Sequence, residues 1–343
     1  MSKIIVTGGA GYIGSHTIIE LIENTDFEII SIDNFSNSSA KTYDRIEQIT
    51  KHRVKSYNVD LCDLEETEKV FQNEKDIVGI IHFAAFKSVP ESVANPHKYY
   101  HNNINSLLNV LELCVKYKVN NFIFSSSCSV YGNISTLPVD ENTPLNKALS
   151  PYAYTKQIGE RILEDYSKVH SNLKIIALRY FNPVGAHQSK LIGEITSLNS
   201  TILIPVITKF AIGDIDEMYV NGIDYGTKDG TCVRDYIHVS DVANAHVLAQ
   251  KYLLDSNLPS NFEIINIGLG NGISVLEAID SFERVSGLKL NYKINKRREG
   301  DVEAIYSDTK KIAKILSWTP KFNLDQMISS AWEWEKKLKS EIS

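Results

Sequence analysis

The chain has few cysteines. Its 343 residues contain four, Cys62, Cys114, Cys128 and Cys232. No two of them form a Cys-x-x-Cys pair, which argues against a zinc knuckle or a dithiol redox motif, and no metal site is expected. No apolar stretch approaches the ~20 residues needed to cross a bilayer. Met1-Ser2-Lys3 runs directly into Ile4-Ile5-Val6, so no signal peptide is expected. Basic residues do not outnumber acidic ones: 36 Lys and Arg against 42 Asp and Glu give a net charge of −6. A whole-chain basic footprint for nucleic acid is therefore missing. Repeats and low-complexity linkers are missing too. What remains is a cytoplasmic protein with neither membrane nor nucleic acid as partner. In that compartment the glycosylation sequons Asn37-Ser38-Ser39 and Asn199-Ser200-Thr201 carry no meaning. With 43% apolar and 23% charged residues the composition is that of a globular protein, long enough to bury a core without disulfides or metals.

Short β-branched runs alternate with longer amphipathic ones. Strands are predicted at Lys3–Thr7, Glu28–Asp33, Val54–Asp60, Ile77–Phe83, Asn121–Ser126 and Leu173–Phe181, and helices at Tyr12–Asn24, Ala40–His52, Leu64–Asn73, Pro96–Tyr117 and Pro151–His170. Alternation of this kind gives βαβ units and a parallel sheet buried on both faces. Beyond residue 181 the rhythm loosens: helical runs at Ile207–Ile212 and Tyr236–Tyr252, a strand at Glu263–Gly268, a helix at Val275–Ser286, a strand at Lys289–Ile294, and helices at Thr309–Leu316 and Asp325–Lys339. The reading is an α/β chain. A doubly wound, Rossmann-type parallel sheet takes residues 1–181 and 233–268, and a smaller, discontinuous substrate domain takes 182–232 and 269–343.

Gly8, Gly11 and Gly14 form a GxxGxxG pattern between the first strand and the first helix. Glycine allows a tight turn and lets backbone approach a pyrophosphate, which then sits at the positive end of the helix. Asp33 follows Gly14 by 19 residues, at the end of the second strand. A carboxylate there accepts from the ribose hydroxyls and repels a 2′-phosphate, so NAD is favoured over NADP. Asp60 ends the third strand and reads equally well as an adenine neighbour or a plain strand-end cap.

Ser150-Pro151 is a good helix start, with serine as N-cap and proline in the first helical position. Tyr152 and Lys156 follow, four apart and so on one helix face. A phenol titrates near 10, and lowering that by three units takes about 4 kcal/mol. One cation ~5 Å away supplies on the order of 3 kcal/mol at an effective dielectric near 20. A nicotinamide cation and the helix N-terminus add to it, so Tyr152 is expected to become a usable base. Ser127 ends the serine-rich strand Phe122–Ser127 and is placed to hydrogen-bond a substrate hydroxyl.

These residues resemble the extended short-chain dehydrogenase/reductase family, in its sugar-nucleotide 4-epimerase branch. The resemblance runs through most of the chain: TGGAGYIGSHT (7–17), IDNFSNS (32–38), IHFAAFKSVPESV (81–93), YYHNNINS (99–106), NFIFSSSCSVYG (121–132), SPYAYTK (150–156), LRYFNPVGAH (178–187), DGTCVRDYIHVSDVA (229–243) and RREGD (297–301). It implies NAD-dependent interconversion of UDP-glucose and UDP-galactose through a 4-keto sugar. Tyr152 would be the base, Lys156 would hold the nicotinamide ribose, and Ser127 would position the 4-oxygen. It further implies a cofactor site lined by Tyr12, Ile13, Asp33, Asn34, Asp60, Leu61, Phe83, Ala84, Ala85, Lys87, Asn102 and Phe181. For the substrate it implies Arg234 and Arg298 at the diphosphate, Asn182 at the diphosphate or sugar, and Asp301 at the uridine ribose. Family members are often dimers through a helix pair, here Pro96–Tyr117 with Pro151–His170, so a homodimer is expected.

Three positions depart from the family pattern. Paired asparagines before Pro205 are replaced by Ser200-Thr201-Ile202-Leu203-Ile204, with Ile202 in place of a nucleotide-holding amide. Asn221 stands where an aromatic face usually meets uracil. Ile305 takes the gate position, where a bulky aromatic goes with plain hexoses and a small residue with N-acetylhexosamines as well. Isoleucine is intermediate and leaves UDP-GlcNAc and UDP-GalNAc open. Sugar-nucleotide 4,6-dehydratases carry an Asp–Glu pair where this chain has Cys128-Ser129. UDP-glucuronate 4-epimerase remains an alternative, and a non-catalytic NAD-binding regulator is the rival from another class, although such a protein is expected to lose Tyr152 or Lys156.

Overall fold

The computed structural model describes residues 1–198, 200–254, 260–298 and 300–342; Asn199 of the second sequon and Glu299 of the RREGD segment lie outside the described residues. The first half alternates as its periodicity requires. β1 (Lys3–Thr7), α1 (Tyr12–Asn24), β2 (Glu28–Ile32), α2 (Lys41–Thr50), β3 (Lys55–Tyr57), α3 (Leu64–Asn73) and β4 (Ile77–His82) come first. α4 (Val89–Ala94), α5 (Pro96–Lys116), β5 (Asn121–Ser127), α6 (Pro151–Val169) and β6 (Lys174–Tyr180) follow. After these come β7 (Asn182–Val184), α7 (Leu203–Ala211), β8 (Tyr219–Asn221), β9 (Val233–Arg234), β10 (Tyr236–His238), α8 (Val239–Leu254), β11 (Phe262–Ile267) and β12 (Ile273–Ser274). α9 (Val275–Ser286), β13 (Lys293–Asn295), β14 (Ala304–Ile305), α10 (Lys310–Leu316) and α11 (Leu324–Ile342) complete the chain.

Seven parallel strands form one sheet in the order β3-β2-β1-β4-β5-β6-β11. The order reverses between β1 and β4, and in such sheets that switch point opens a crevice at the carboxyl ends of the strands. Strand side chains alternate between two buried faces. Ile4, Val6, Ile81, Ile123 and Ile176 pack under α1 and α8, while Ile5, Ile80, Phe122, Phe124 and Ile175 pack under α3, α5 and α6. A third apolar cluster joins α7, α9 and α11 to the short strands, with Phe282, Met327 and Trp332 at its centre. α10 and Trp318 return to the first cluster, so the C-terminal segments serve both cores.

Several boundaries differ from the sequence reading, each for a local reason. Tyr236–His238 opens the expected helix as a strand because it pairs in parallel with Asn182–Val184. The helix expected from Ile207 starts at Leu203, with Pro205 tolerated in the first turn. The expected strand at Lys289 begins at Lys293 and pairs with Tyr219–Asn221, a strand too short to show a period. The third strand ends at Tyr57, and Asp60 turns the chain by accepting from the Cys62 N–H. Among the described residues no helix is long and apolar enough to cross a membrane.

Glu74 ties the β3 edge to β1. Its buried carboxylate accepts from Lys3 Nζ at 2.7 Å and Tyr57 Oη at 2.5 Å, and pairs with Lys55 Nζ at 2.6 Å. Burial pushes this carboxyl up, but the Lys3, Lys55 and Tyr57 bonds prevail and hold it down at about 2. A depressed carboxyl stabilises the folded state above its unfolded value and loses that contribution as pH falls through the folded one. Glu74→Gln is therefore expected to cost on the order of 2–3 kcal/mol at neutral pH. In urea unfolding the gap to the parent chain should shrink between about pH 4.5 and pH 2.

Candidate active site

The crevice at the switch point is a cavity of about 1370 Å³. A single small-molecule site usually takes about 300–1,000 Å³, so this one has room for two nucleotides side by side. Every site residue the sequence nominated lines it, from Gly8 to Ile305.

The β1–α1 turn is shaped for close approach. Gly8 has φ +69°, and a Cβ there would lie 2.8 Å from Ala84 N; one on Gly14 would lie 2.3 Å from Gly8 O. The N-cap of α1 is Gly11, without a side-chain partner, and the first turn carries no acid. The helix therefore offers free N–H groups and its positive end to an anion. Asp33 braces the turn: Oδ2 accepts from Ala10 N, and Oδ1 from Phe35 N and Ser38 Oγ. A carboxylate has about four acceptor positions, so this one retains capacity for a ribose hydroxyl. Asp60 lines the cavity and accepts from Cys62 N, in the turn three residues past the end of β3.

The phenol and ammonium sit deeper. Ser150 Oγ accepts from Ala153 N and starts α6, so that Tyr152 and Lys156 project from its first two turns. Lys156 Nζ lies 5.9 Å from the Tyr152 ring centroid and donates to the Ser125 carbonyl at 2.6 Å. The expected fall in the phenol's pKa is not produced by this pair. Burial pushes Tyr152 up to about 12, against the hydrogen bond from Ser127, and pushes Lys156 down to about 7, against the charge of Glu160. Loss of water outweighs the attraction that the spacing alone suggested.

On the far wall, Arg298 Nε pairs with Asp301 Oδ2 at 3.3 Å around Gly300, which has φ +82°. Arg234 bonds a backbone carbonyl through Nη1, and Asn182 Oδ1 is buried without a hydrogen-bond partner. Orphaned acceptor, glycine cradle and open helix end together fit a polar, phosphate-bearing dinucleotide. Asn221 faces the cavity as expected, and Tyr219, two residues earlier on the same strand face, lines it too. Sequence reading passed over Tyr219. It also passed over Glu194, which pairs with Lys87 Nζ at 2.7 Å, and the buried Glu160–Arg179 pair beneath Lys156. Of these, Glu160 had a signal: it continues the four-residue spacing of Tyr152 and Lys156. Among the described residues no group of three or more His, Cys, Asp or Glu side chains is arranged to hold a metal ion.

A reversed-order parallel sheet, a glycine turn opening onto an uncapped helix, and a phenol–ammonium pair in the same crevice define a dinucleotide-dependent enzyme of the short-chain type. The chain belongs to the NAD dependent epimerase/dehydratase family, whose model matches residues 4–268, and NAD is the cofactor of that family. A UDP-glucose 4-epimerase of Bacillus subtilis is 44% identical over 97% of this chain and 96% of its own. A UDP-glucose 4-epimerase from Stenotrophomonas maltophila, solved with bound NAD and formylated UDP-arabinopyranose, superposes with a TM-score of 0.95 at 38% identity, covering 99% of this chain and 100% of its own. The Bifidobacterium longum UDP-glucose 4-epimerase, solved with NAD+ and UDP, gives 0.92 at 42% identity and 98% coverage of both chains.

Gly14→Ala places a methyl against backbone at Gly8 and Gly9, which cannot swing aside. The variant is expected to keep its far-ultraviolet spectrum and to lose NAD affinity by about tenfold or more; fluorescence titration of the purified protein with NAD measures it.

Proposed function

We propose that this chain interconverts UDP-glucose and UDP-galactose by inverting C4 of the hexose through a 4-keto sugar, with NAD as cofactor. The observation that carries the reading is the convergence of Tyr152, Lys156 and Ser127 on one cavity with the glycine turn. Gly8, Gly11, Tyr12, Ile13, Gly14, Asp33, Asn34, Asp60, Leu61, Phe83, Ala84, Ala85, Lys87, Asn102 and Phe181 would hold the dinucleotide. When bound, the cofactor would supply the hydride acceptor as NAD+, the hydride donor as NADH, and a positive charge in its oxidised form.

The protein's own part is proton handling. Tyr152, as phenolate, takes the proton of the sugar 4-hydroxyl as C4 is oxidised, and returns it when C4 is reduced on the opposite face. Proton and hydride both come back, so the reaction is a net isomerisation. Ser127 donates to the 4-oxygen and fixes its distance from Tyr152. Lys156 stabilises the phenolate and engages the nicotinamide ribose. Arg234 and Arg298 neutralise the diphosphate, a role suited to forked guanidinium donors, while Asn182 and Asp301 bind the phosphate–sugar and ribose ends. A firm grip on the nucleotide leaves the 4-keto sugar free to turn over. Ile305, buried at the cavity wall, supports a second reading in which N-acetylated hexoses are also accepted.

The proposal includes an NAD-binding part of residues 1–181 and 233–268 with a UDP-sugar-binding part of 182–232 and 269–343. It also includes a homodimer through α5 and α6, whose Val115, Tyr154 and Val169 are exposed apolar side chains. A cytoplasmic setting accords with four free cysteines.

Purified protein incubated with UDP-galactose and no added NAD should yield UDP-glucose by chromatography, and a UDP-sugar should raise its reduced-nicotinamide absorbance. Tyr152→Phe should lower kcat by about 10²–10⁴-fold. No interconversion by NAD-loaded protein would reject the function. Conversion of UDP-GalNAc tests the second reading, and its absence rejects it.

A further inference from the structure

Tyr152, Lys156 and Glu160 are spaced four apart and form one stripe along α6. Glu160 is 5% exposed, a rare setting for a carboxylate. It takes two parallel bonds from Arg179 on β6, at 2.8 Å to Oε1 and 2.6 Å to Oε2, and Arg179 is itself 2% exposed. Ser126 Oγ donates to Oε1 at 2.5 Å. The neighbouring Ser125 carbonyl receives Lys156 Nζ. Two consecutive residues of β5 thus hold the ammonium and the carboxylate of the next helical turn in fixed relation.

Stability alone gives weak reason for such a pair. Two charges taken out of water gain little over well-packed apolar residues of similar volume, and the Phe124 and Leu163 side chains nearby form an apolar core that could close over the gap. The placement one turn past Lys156 has a direct electrostatic effect instead. We infer that Glu160, clamped by Arg179 and Ser126, is the buried counter-charge that keeps Lys156 cationic beneath Tyr152, a positioning residue for the proposed reaction. The inference rests on the reading of Tyr152 and Lys156 as base and partner.

The other titratable and charged groups around Lys156 do not take this role. From β4, His82 is held neutral by burial and by the ammonium itself, which together push it down to about 3. From the 3₁₀ turn Cys128–Tyr131, burial pushes both Cys128 and Tyr131 up to about 12, so neither carries negative charge at neutral pH. Tyr180 on β6 is likewise pushed up by burial and hydrogen-bonds His246. Arg179 is cationic: burial would lower it, but Glu160 holds it above its ordinary value. Burial lowers the Lys156 ammonium, and the charge of Glu160 opposes it.

The test uses opposite charge deletions. E160Q leaves the Arg179 cation uncompensated, so the Lys156 ammonium should titrate at lower pH; R179M leaves the carboxylate uncompensated, so it should titrate higher. Each shift should be about one pH unit or more for a charge one helical turn away, with the double variant between the two. The readout is NMR titration of Lys156 Nζ in NAD-loaded, lysine-labelled protein, assigned by loss of the signal in K156R, alongside the pH–rate profile. Opposite shifts support the inference. Shifts of the same sign, or an unmoved titration with only a lower melting temperature, overturn it. If E160Q does not fold, R179M and E160D decide. An upward shift in R179M with near-parental titration in E160D supports the role, and an unmoved R179M rejects it. The titration needs no substrate, so a chain without epimerase activity would reject the functional reading while leaving this inference separately decided.

Discussion

The structure turns on the cost of holding a phenol and an ammonium together away from water. Lys156 is 4% exposed, and its Nζ relies on the Ser125 carbonyl, on the face of the Phe124 ring 4.8 Å away and on the field of charges beyond them. Burial drives the phenol toward its neutral form and the ammonium toward its own. A site that is to use the charged forms must recover that cost from fixed dipoles and charges already in place. The serine-capped start of α6, the carbonyl row ending β5 and the buried carboxylate one turn further on are all arranged around this need. The seven-stranded sheet supplies the rigidity that keeps them there, with apolar side chains sealed on both of its faces.

The nucleotide half was legible because its determinants are local. Glycines at 8 and 14 report a turn that admits no Cβ. Asp33 reports a strand end, and the apolar runs of β1, β4 and β5 report strands covered on both sides. Ser150 with Pro151 announced a helix start that the Ala153 N–H bond to Ser150 bears out. Residue types and spacings of this kind need no knowledge of distant partners.

The second half was less legible because its order comes from long-range pairing. β9 has two residues and is held between β12 and β14, segments 39 or more residues away in sequence. Asp235 draws together Leu269 N, Gly270 N and Ser307, a knot no periodicity signals. Spacing conveys the distance between Tyr152 and Lys156 but not how much water surrounds them, so the burial that lifts the phenol and lowers the ammonium has no signature in it. Tyr219 escaped notice because a three-residue strand has no readable alternation, while Glu160 escaped because the two residues before it on the same stripe already accounted for the chemistry.

Burial pushes the Lys156 ammonium down to about 7, against the charge of Glu160, so its protonation responds to what shares the crevice. A charged ligand arriving in such a site shifts that balance, and a proton must enter or leave solution to settle it. Occupancy of the crevice is then coupled to the acidity of the medium even for a ligand with no ionisable group of its own near neutrality. Calorimetric heats of association will accordingly carry a contribution from whichever buffer absorbs or donates that proton.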